Sequence, residues 1–246
     1  MQLKNKTAIV TGGGSGFGAG IADLFSKNGA KVIVADINKE NAEKIANKIG
    51  GMSVQVDVSD AKSVEAMRSS VLDSNSKIDI LINNAGTTHL PAPMETISEL
   101  EFDKIFDVNC KSVYLTAKEF VPHFKENKSG VILNVASTAG VSPRPNLNWY
   151  NASKGWMILA SKTMAVELAP FGIRVNVVNP VAGETPLLKS FLGEDTPEMR
   201  AKFLATIPIG RFSLPEDIAA AAMFLCSDAA SMITGASLEI DGGRTI

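Results

Sequence analysis

Thr7-Ala8-Ile9-Val10-Thr11-Gly12-Gly13-Gly14-Ser15-Gly16-Phe17-Gly18 decides the fold. Four residues suited to a buried strand, Thr7–Val10, run straight into a glycine-rich turn, and a helical pattern follows. Glycines let the backbone turn sharply and approach a phosphate closely. The helix start behind them offers free N–H groups and the positive end of a dipole. A pyrophosphate belongs there. Gly14, Gly16 and Ala19 also satisfy the GxGxxA spacing of dinucleotide-binding turns. A P-loop is excluded, because no Gly-Lys-Ser/Thr follows.

Working outward, short runs rich in Val, Ile and Leu alternate with helical periodicity. Strands are predicted over Thr7–Val10, Lys31–Ala35, Ser53–Val56, Ile78–Ile82, Gly130–Val135, Arg174–Val178 and Ser237–Ile240. Without polar alternation, such runs suit a parallel sheet covered on both faces. Helices are predicted over Gly20–Lys27, Asn38–Ile49, Ala61–Leu72, Trp149–Ala169 and Pro215–Leu225, with Pro215 tolerated near a helix start. The alternation implies right-handed crossovers, a doubly wound α/β sheet and a single domain over 1–246. Only 184–211 breaks it, with apolar clusters at Leu187, Leu188, Phe191, Leu192 and at Met199, Phe203, Leu204, Ile207. A helical lid near 186–210 is the functional reading; a surface excursion or subunit contact is the alternative.

The 246 residues carry 24 Lys+Arg against 26 Asp+Glu, a net charge of −2. That balance speaks against nucleic acid or an acidic membrane surface as a partner. There is no apolar run of the roughly 18–20 residues that a membrane span requires, nor a signal-peptide pattern. Cys110 and Cys226 sit in apolar surroundings without CxxC spacing and read as buried free thiols, which fits a cytoplasmic location. Two Cys and two His, His89 and His123, fit no metal-ligand pattern. His123 reads as a surface helix residue.

Asp36 ends the second strand, 18 residues past Gly18. An acid at that distance hydrogen-bonds the ribose hydroxyls of NAD and repels a 2′-phosphate. Only one base, Lys39, follows it closely, so NAD(H) is favoured over NADP(H). A helix N-cap is the competing role for Asp36. Tyr150 and Lys154 are i, i+4 at the start of a long predicted helix and share one face. An ammonium there favours the phenolate and brings a tyrosine toward use as an acid/base. This pair also argues against a nucleotide-binding methyltransferase.

With these motifs in order, the chain resembles the short-chain dehydrogenases/reductases over essentially its whole length. The resemblance rests on Thr11-Gly12-x-x-x-Gly16-x-Gly18, on Asn83-Asn84-Ala85-Gly86, on Asn109 within a helix, on Ser137 after the fifth strand and on Tyr150-x-x-x-Lys154. It implies a single-domain Rossmann fold with a seven-stranded parallel sheet, and a homotetramer. It implies that Tyr150 is the catalytic acid/base, that Lys154 lowers its pKa and holds the nicotinamide ribose, and that Ser137 bonds the substrate oxygen. Asn109 would hold a water in a proton path toward Lys154. Gly12, Ser15, Gly16, Phe17 and Gly18 would bind the cofactor, with Asp57-Val58 at the adenine and Asn84, Ala85 and Gly86 bordering the adenosine side. Pro180, Gly183 and Thr185 would face the carboxamide. The chain departs from the family's Pro-Gly after the sixth strand, having Val181 after Pro180, and Pro186 stiffens the lid hinge.

Three residues are candidates for substrate contact. Arg144, between Pro143 and Pro145, could clamp a carboxylate, sulfonate or phosphate, though an exposed loop charge is the plainer reading. Trp149 could line the pocket or pack at the helix start. His89 could reach the pocket mouth or be a loop residue without function. The implied activity is NAD-linked interconversion of a secondary alcohol and a ketone, favouring a small polar alcohol such as a polyol, sugar or hydroxy acid. A 3-oxoacyl thioester reductase is the alternative, and a non-catalytic NAD(H) sensor the remote one.

Overall fold

The computed structural model describes residues 1–75 and 77–246. Seven strands form one parallel sheet: β1 (Thr7–Thr11), β2 (Lys31–Asp36), β3 (Met52–Gln55), β4 (Ile80–Asn83), β5 (Gly130–Val135), β6 (Ile173–Pro180) and β7 (Ser237–Ile240). Their spatial order is β3-β2-β1-β4-β5-β6-β7, so the winding direction reverses between β1 and β4. In open α/β sheets a ligand crevice lies outside the carboxyl ends of the strands at such a reversal.

Alternation along each strand builds the two faces. Val10, Val34, Ile82 and Leu133 point to one side, onto α1 (Gly16–Lys27), α2 (Lys39–Ile49) and α9 (Pro215–Cys226). Ile9, Ile33, Leu81 and Ile132 point to the other, onto α3 (Ala61–Ser74), α5 (Ser112–Glu126) and α6 (Asn148–Leu168). Both faces are dry, which is why the strand sequences carry no polar alternation. Each fully buried large side chain, such as Phe25 or Phe120, contributes about 1.5–3 kcal/mol of transfer free energy.

Element ends differ from the sequence reading in instructive places. The first helix starts at Gly16, four residues earlier than its apolar periodicity, because the glycine turn itself enters the helix. Asn38 caps α2, accepting from the Asn41 amide at 2.9 Å; the cap is therefore not Asp36. Before β5 the chain adds α4 (Glu99–Phe106), opened by a Ser98–Glu101 capping box, and a π-helical turn over Asp107–Lys111 that joins α5. His123 is buried rather than on the surface. Its Nε2 accepts from the Ile78 amide at 3.1 Å, partnering an N–H that precedes β4 and has no ladder partner. The lid consists of α7 (Leu188–Leu192) and α8 (Pro197–Leu204), which close a small core of Val181, Leu188, Leu192, Phe203, Ile207 and Phe212. Cys110 and Cys226 are buried free thiols. Among the described residues no helix is long and apolar enough to cross a membrane.

Candidate active site

A cleft of about 530 Å³ opens at the carboxyl ends of β1 and β4. One end is walled by the glycine turn and the other by the lid.

Close backbone packing shapes the glycine turn. A Cβ on Gly18 would stand 2.1 Å from the Gly12 carbonyl oxygen and 2.5 Å from Asn84 Nδ2, so only glycine fits. Asn84 Nδ2 donates to the carbonyls of Thr11 (2.9 Å) and Gly12 (3.1 Å). Thr11 Oγ1 accepts from the amides of Asn84 and Ala85 and donates to the Ile82 carbonyl. The end of β4 thereby clamps the turn. Ser15 makes no side-chain cap on α1, so the first-turn amides are left to the cleft that Ser15, Gly16 and Phe17 line. Asp36 is half-buried at the cleft wall. Its Oδ2 accepts from the Gly14 amide and its Oδ1 from the Asn38 amide, both at 2.9 Å. The Asp57 carboxylate accepts from the Ser59 amide and hydroxyl. This donor set and cradle fit a dinucleotide: amides for the pyrophosphate, an oriented carboxylate for a ribose, and the apolar Ile37, Val56 and Val58 along the wall.

At the other end stand Ser137, Tyr150 and Lys154. Ser137 follows β5 and accepts from the Ala139 amide at 3.1 Å, which fixes its hydroxyl at the start of a short 3₁₀ turn. Tyr150 and Lys154 lie one turn apart on α6, with Lys154 Nζ 5.9 Å from the phenol ring centre. Lys154 Nζ donates to the Val135 carbonyl at 3.0 Å. A Cβ on Gly86 would come within 3.4 Å of that nitrogen, so the bare glycine leaves the ammonium its space. Burial pushes the Tyr150 phenol up to about 12, against hydrogen bonding by Ser137 and the charge of Arg144, which favour the phenolate. Burial also pushes Lys154 down to about 8. The expected lowering by Lys154 does not govern the phenol: desolvation dominates, opposed by the Ser137 hydrogen bond and the charge of Arg144.

Asn109 lies in the π turn and outside the cleft lining. Its Nδ2 donates to the Thr87 carbonyl and to Ser153 Oγ, and its Oδ1 accepts from the Thr87 amide, all at 2.9 Å. The side chain ties the segment after β4 to the residue before Lys154. A second buried chain runs from Thr116 through Asn83 and Asn134 to Ser161, with links of 2.9, 2.8 and 2.7 Å. It locks α5, β4, β5 and α6 together. Thr116, Asn134, Ser153 and Ser161 were not anticipated from sequence, since single polar residues inside apolar runs carry no periodic signal.

Gly12, Asn84, Ala85, Gly86, Pro180, Gly183 and Thr185 line the cleft as expected, while Gly18 lies behind it, supporting the turn. Trp149 does not line the cleft. It meets Phe102 edge-on at 5.3 Å and donates to the Met94 carbonyl at 3.1 Å, because α6 packs on α4 there. His89 is buried outside the lining, its Nδ1 2.7 Å from the Leu90 carbonyl. Arg144 does line the cleft, 4.7 Å from the Phe203 ring centre, and so does Arg244, which the sequence reading passed over. Phe191 of α7 packs against the Tyr150 ring at 5.2 Å, so the lid touches the tyrosine directly.

Comparison with known proteins agrees with this geometry. A family model described as enoyl-(acyl carrier protein) reductase matches residues 12–245. The chain is 48% identical to 4-formylbenzenesulfonate dehydrogenase of Comamonas testosteroni, covering all of both chains. It is 38% identical to an NAD-dependent glycerol dehydrogenase of Listeria innocua, over all of this chain and 96% of that one. The crystal structure of a 3-ketoacyl-(acyl-carrier-protein) reductase from Brucella melitensis complexed with NADH superposes with a TM-score of 0.95 at 50% identity, covering 99% of this chain and all of that one. The matches run the length of the chain, and this protein belongs to the short-chain dehydrogenase/reductase family.

Proposed function

We propose that the chain is an NAD(H)-dependent oxidoreductase that interconverts a secondary alcohol and a ketone, with Tyr150 as its acid/base. The convergence of Ser137, Tyr150 and Lys154 at the lid end of the cleft carries this reading. The glycine turn, Asp36, Asp57-Val58, Asn84–Gly86 and Thr185 would hold the nicotinamide dinucleotide, which supplies the hydride chemistry when bound. In the oxidative direction the Tyr150 oxygen takes the hydroxyl proton; in reduction it returns that proton. Ser137 orients the reacting oxygen against Tyr150 and stabilises charge that develops there. Lys154, anchored to the Val135 carbonyl, would hold the nicotinamide ribose. Phe191 and the lid exclude water from that end.

The oriented Asp36 carboxylate supports NAD(H) over NADP(H). A small polar alcohol is the favoured substrate, in line with the glycerol dehydrogenase named above. A 3-oxoacyl thioester is the second reading; the apolar Leu187 and Phe191 at the cleft favour it, as does the name of the Brucella relative. Exposed Trp156, Leu159 and Val166 on α6 and Tyr114 on α5 support a homo-oligomer, which light scattering tests. The deciding assay follows NADH oxidation with acetoacetyl thioester beside NAD reduction with small diols, sugars and hydroxy acids, with Tyr150→Phe as control. Turnover of one class identifies it. Absence of turnover with NADH binding retained would refute the catalytic reading and leave a sensor.

A further inference from the structure

We infer that Arg144 and Arg244 together form an anion-binding subsite, and that the substrate carries a carboxylate, sulfonate or phosphate at the end remote from its reacting carbon. The inference rests on the reading of Tyr150 as the acid/base and extends it to the charge of the substrate.

The chain has six arginines, and the guanidinium groups of four are held by carboxylates or backbone carbonyls within the protein. Arg68 donates to the Glu119 carbonyl. Arg174 donates to the carbonyls of Leu225, Ile233 and Ser227. Arg200 pairs with Glu184 and Asp195, and Arg211 with Asp217. The lid region is therefore well supplied with carboxylates, yet none pairs with the two arginines that line the cleft. Among the described residues the Arg144 guanidinium has no hydrogen-bond or ion-pair partner, and that of Arg244 bonds only Thr206 Oγ1.

Both arginines are held in position. Prolines flank Arg144, and its carbonyl accepts from Asn151 Nδ2 at 2.7 Å, one residue beyond Tyr150. Arg244 rides on a turn whose Asp241 carboxylate accepts from the Gly243 amide (2.9 Å), the Thr245 amide (2.8 Å) and the Thr245 hydroxyl (2.7 Å). That carboxylate is committed to the turn. Each guanidinium carbon lies 4.7 Å from the centre of the Phe203 ring, so the two are no farther apart than twice that distance. Burial and the like charge of Arg244 both disfavour the charged form of Arg144, and bring its guanidinium down to about 10.

Asp241 lends its charge to Arg244 from within the turn, but among the described residues no carboxylate bonds either guanidinium. Two half-buried cations beside one ring, so sparsely countered, are costly unless a ligand supplies negative charge. Two planar forks suit an oxyanion with several acceptor oxygens. The cofactor is a poor candidate, because its phosphate cradle is the glycine turn at the other end of the cleft. Phe191 and Phe203 suit an apolar body between the anion and Tyr150.

The test is calorimetric titration of benzoate and benzenesulfonate against neutral benzamide, at constant ionic strength, with and without NADH. Wild type, Arg144→Gln, Arg244→Gln, the double variant and the charge-retaining Arg144→Lys are compared. We expect the anions to bind at least about tenfold tighter than benzamide, each Gln variant to lose about threefold of that preference, and the double variant to abolish it. Arg144→Lys should restore part of the preference, and NADH affinity should be unchanged throughout. Equal binding of anion and amide by the wild type, no binding of either, or a preference that survives the double variant would overturn the subsite. Loss of NADH binding by the wild type would instead count against the oxidoreductase reading.

Discussion

Replacing Asp36 with Asn tests the cofactor preference with a worked magnitude. The carboxylate is oriented by the Gly14 and Asn38 amides and faces the cleft while half-buried. Two unit charges about 4 Å apart repel by roughly 1 kcal/mol in bulk water and about 4 kcal/mol at the effective dielectric of a protein surface. A 2′-phosphate beside Asp36 meets a penalty in that range, corresponding to roughly five- to several-hundred-fold weaker binding of NADPH than of NADH. Asp36→Asn keeps the shape and one acceptor oxygen while removing the charge. NADPH affinity should rise by about that factor. NADH affinity should fall by about tenfold, as a charge-assisted bond to the ribose becomes a neutral one. Quenching of protein fluorescence by each reduced cofactor gives both dissociation constants. A wild type that binds NADPH as tightly as NADH, or a variant whose NADH/NADPH ratio stays within about threefold of wild type, would refute the argument.

Tyr150→Phe should lower turnover by at least about 10²–10⁴-fold with NADH affinity nearly unchanged; parallel steady-state and fluorescence titrations check this, and loss of NADH binding would make the tyrosine structural. Gly18→Ala forces a Cβ against the Gly12 carbonyl and Asn84, so cofactor affinity should fall at least about tenfold with a lower Tm, read by fluorescence titration and thermal unfolding. Asn134→Ala strands the buried Asn83 amide and should cost about 1–3 kcal/mol in urea unfolding, with a coupling to Ser161→Ala above about 0.5 kcal/mol in a double-mutant cycle. Burial holds Lys154 at about 8 against an ordinary 10.5, so between those values the unfolded chain binds the extra proton. Burying Lys154 therefore costs stability below about 8, and that cost is relieved as pH rises toward 10; Lys154→Met should flatten that slope in urea midpoints measured across the range.

The architecture was legible because it rests on local signals. Unbroken Val/Ile/Leu runs announce a sheet with two covered faces, and one glycine turn after β1 announces where its ligand lies. Tyr150 and Lys154 were legible together through their i, i+4 spacing, and Ser137 only through the family resemblance. What was not legible depends on distances between segments far apart in the chain. His123 looks like a surface helix residue until α5 lays it beside Ile78. Trp149 looks like a pocket residue until α4 takes its ring. The sign of the Tyr150 shift follows the same rule. Helical spacing brings an ammonium near the phenol, but burial of the ring, which no spacing reports, outweighs it.

Arg244 carries that lesson furthest. In sequence it is one basic residue in a short glycine-containing tail, and nothing near it suggests a cleft. Its position follows from three steps, each dependent on the one before. Asp241 gathers the Gly243 and Thr245 amides and the Thr245 hydroxyl, and the chain after β7 closes into a turn. The Gly242 carbonyl accepts from the Ile209 amide, which ties that turn to the end of the lid. Phe203 of α8 then presents its ring to both Arg244 and Arg144. A charge from the tail and a charge from the loop before α6 thus meet at one ring, although they lie 100 positions apart in the sequence. If the substrate is anionic, its charge couples the tail, the lid and the Tyr150 helix, and ligand binding should stabilise all three together. Amide exchange in those segments should then slow together on adding benzenesulfonate, whereas slowing confined to one of them would show that the arginines do not share a ligand.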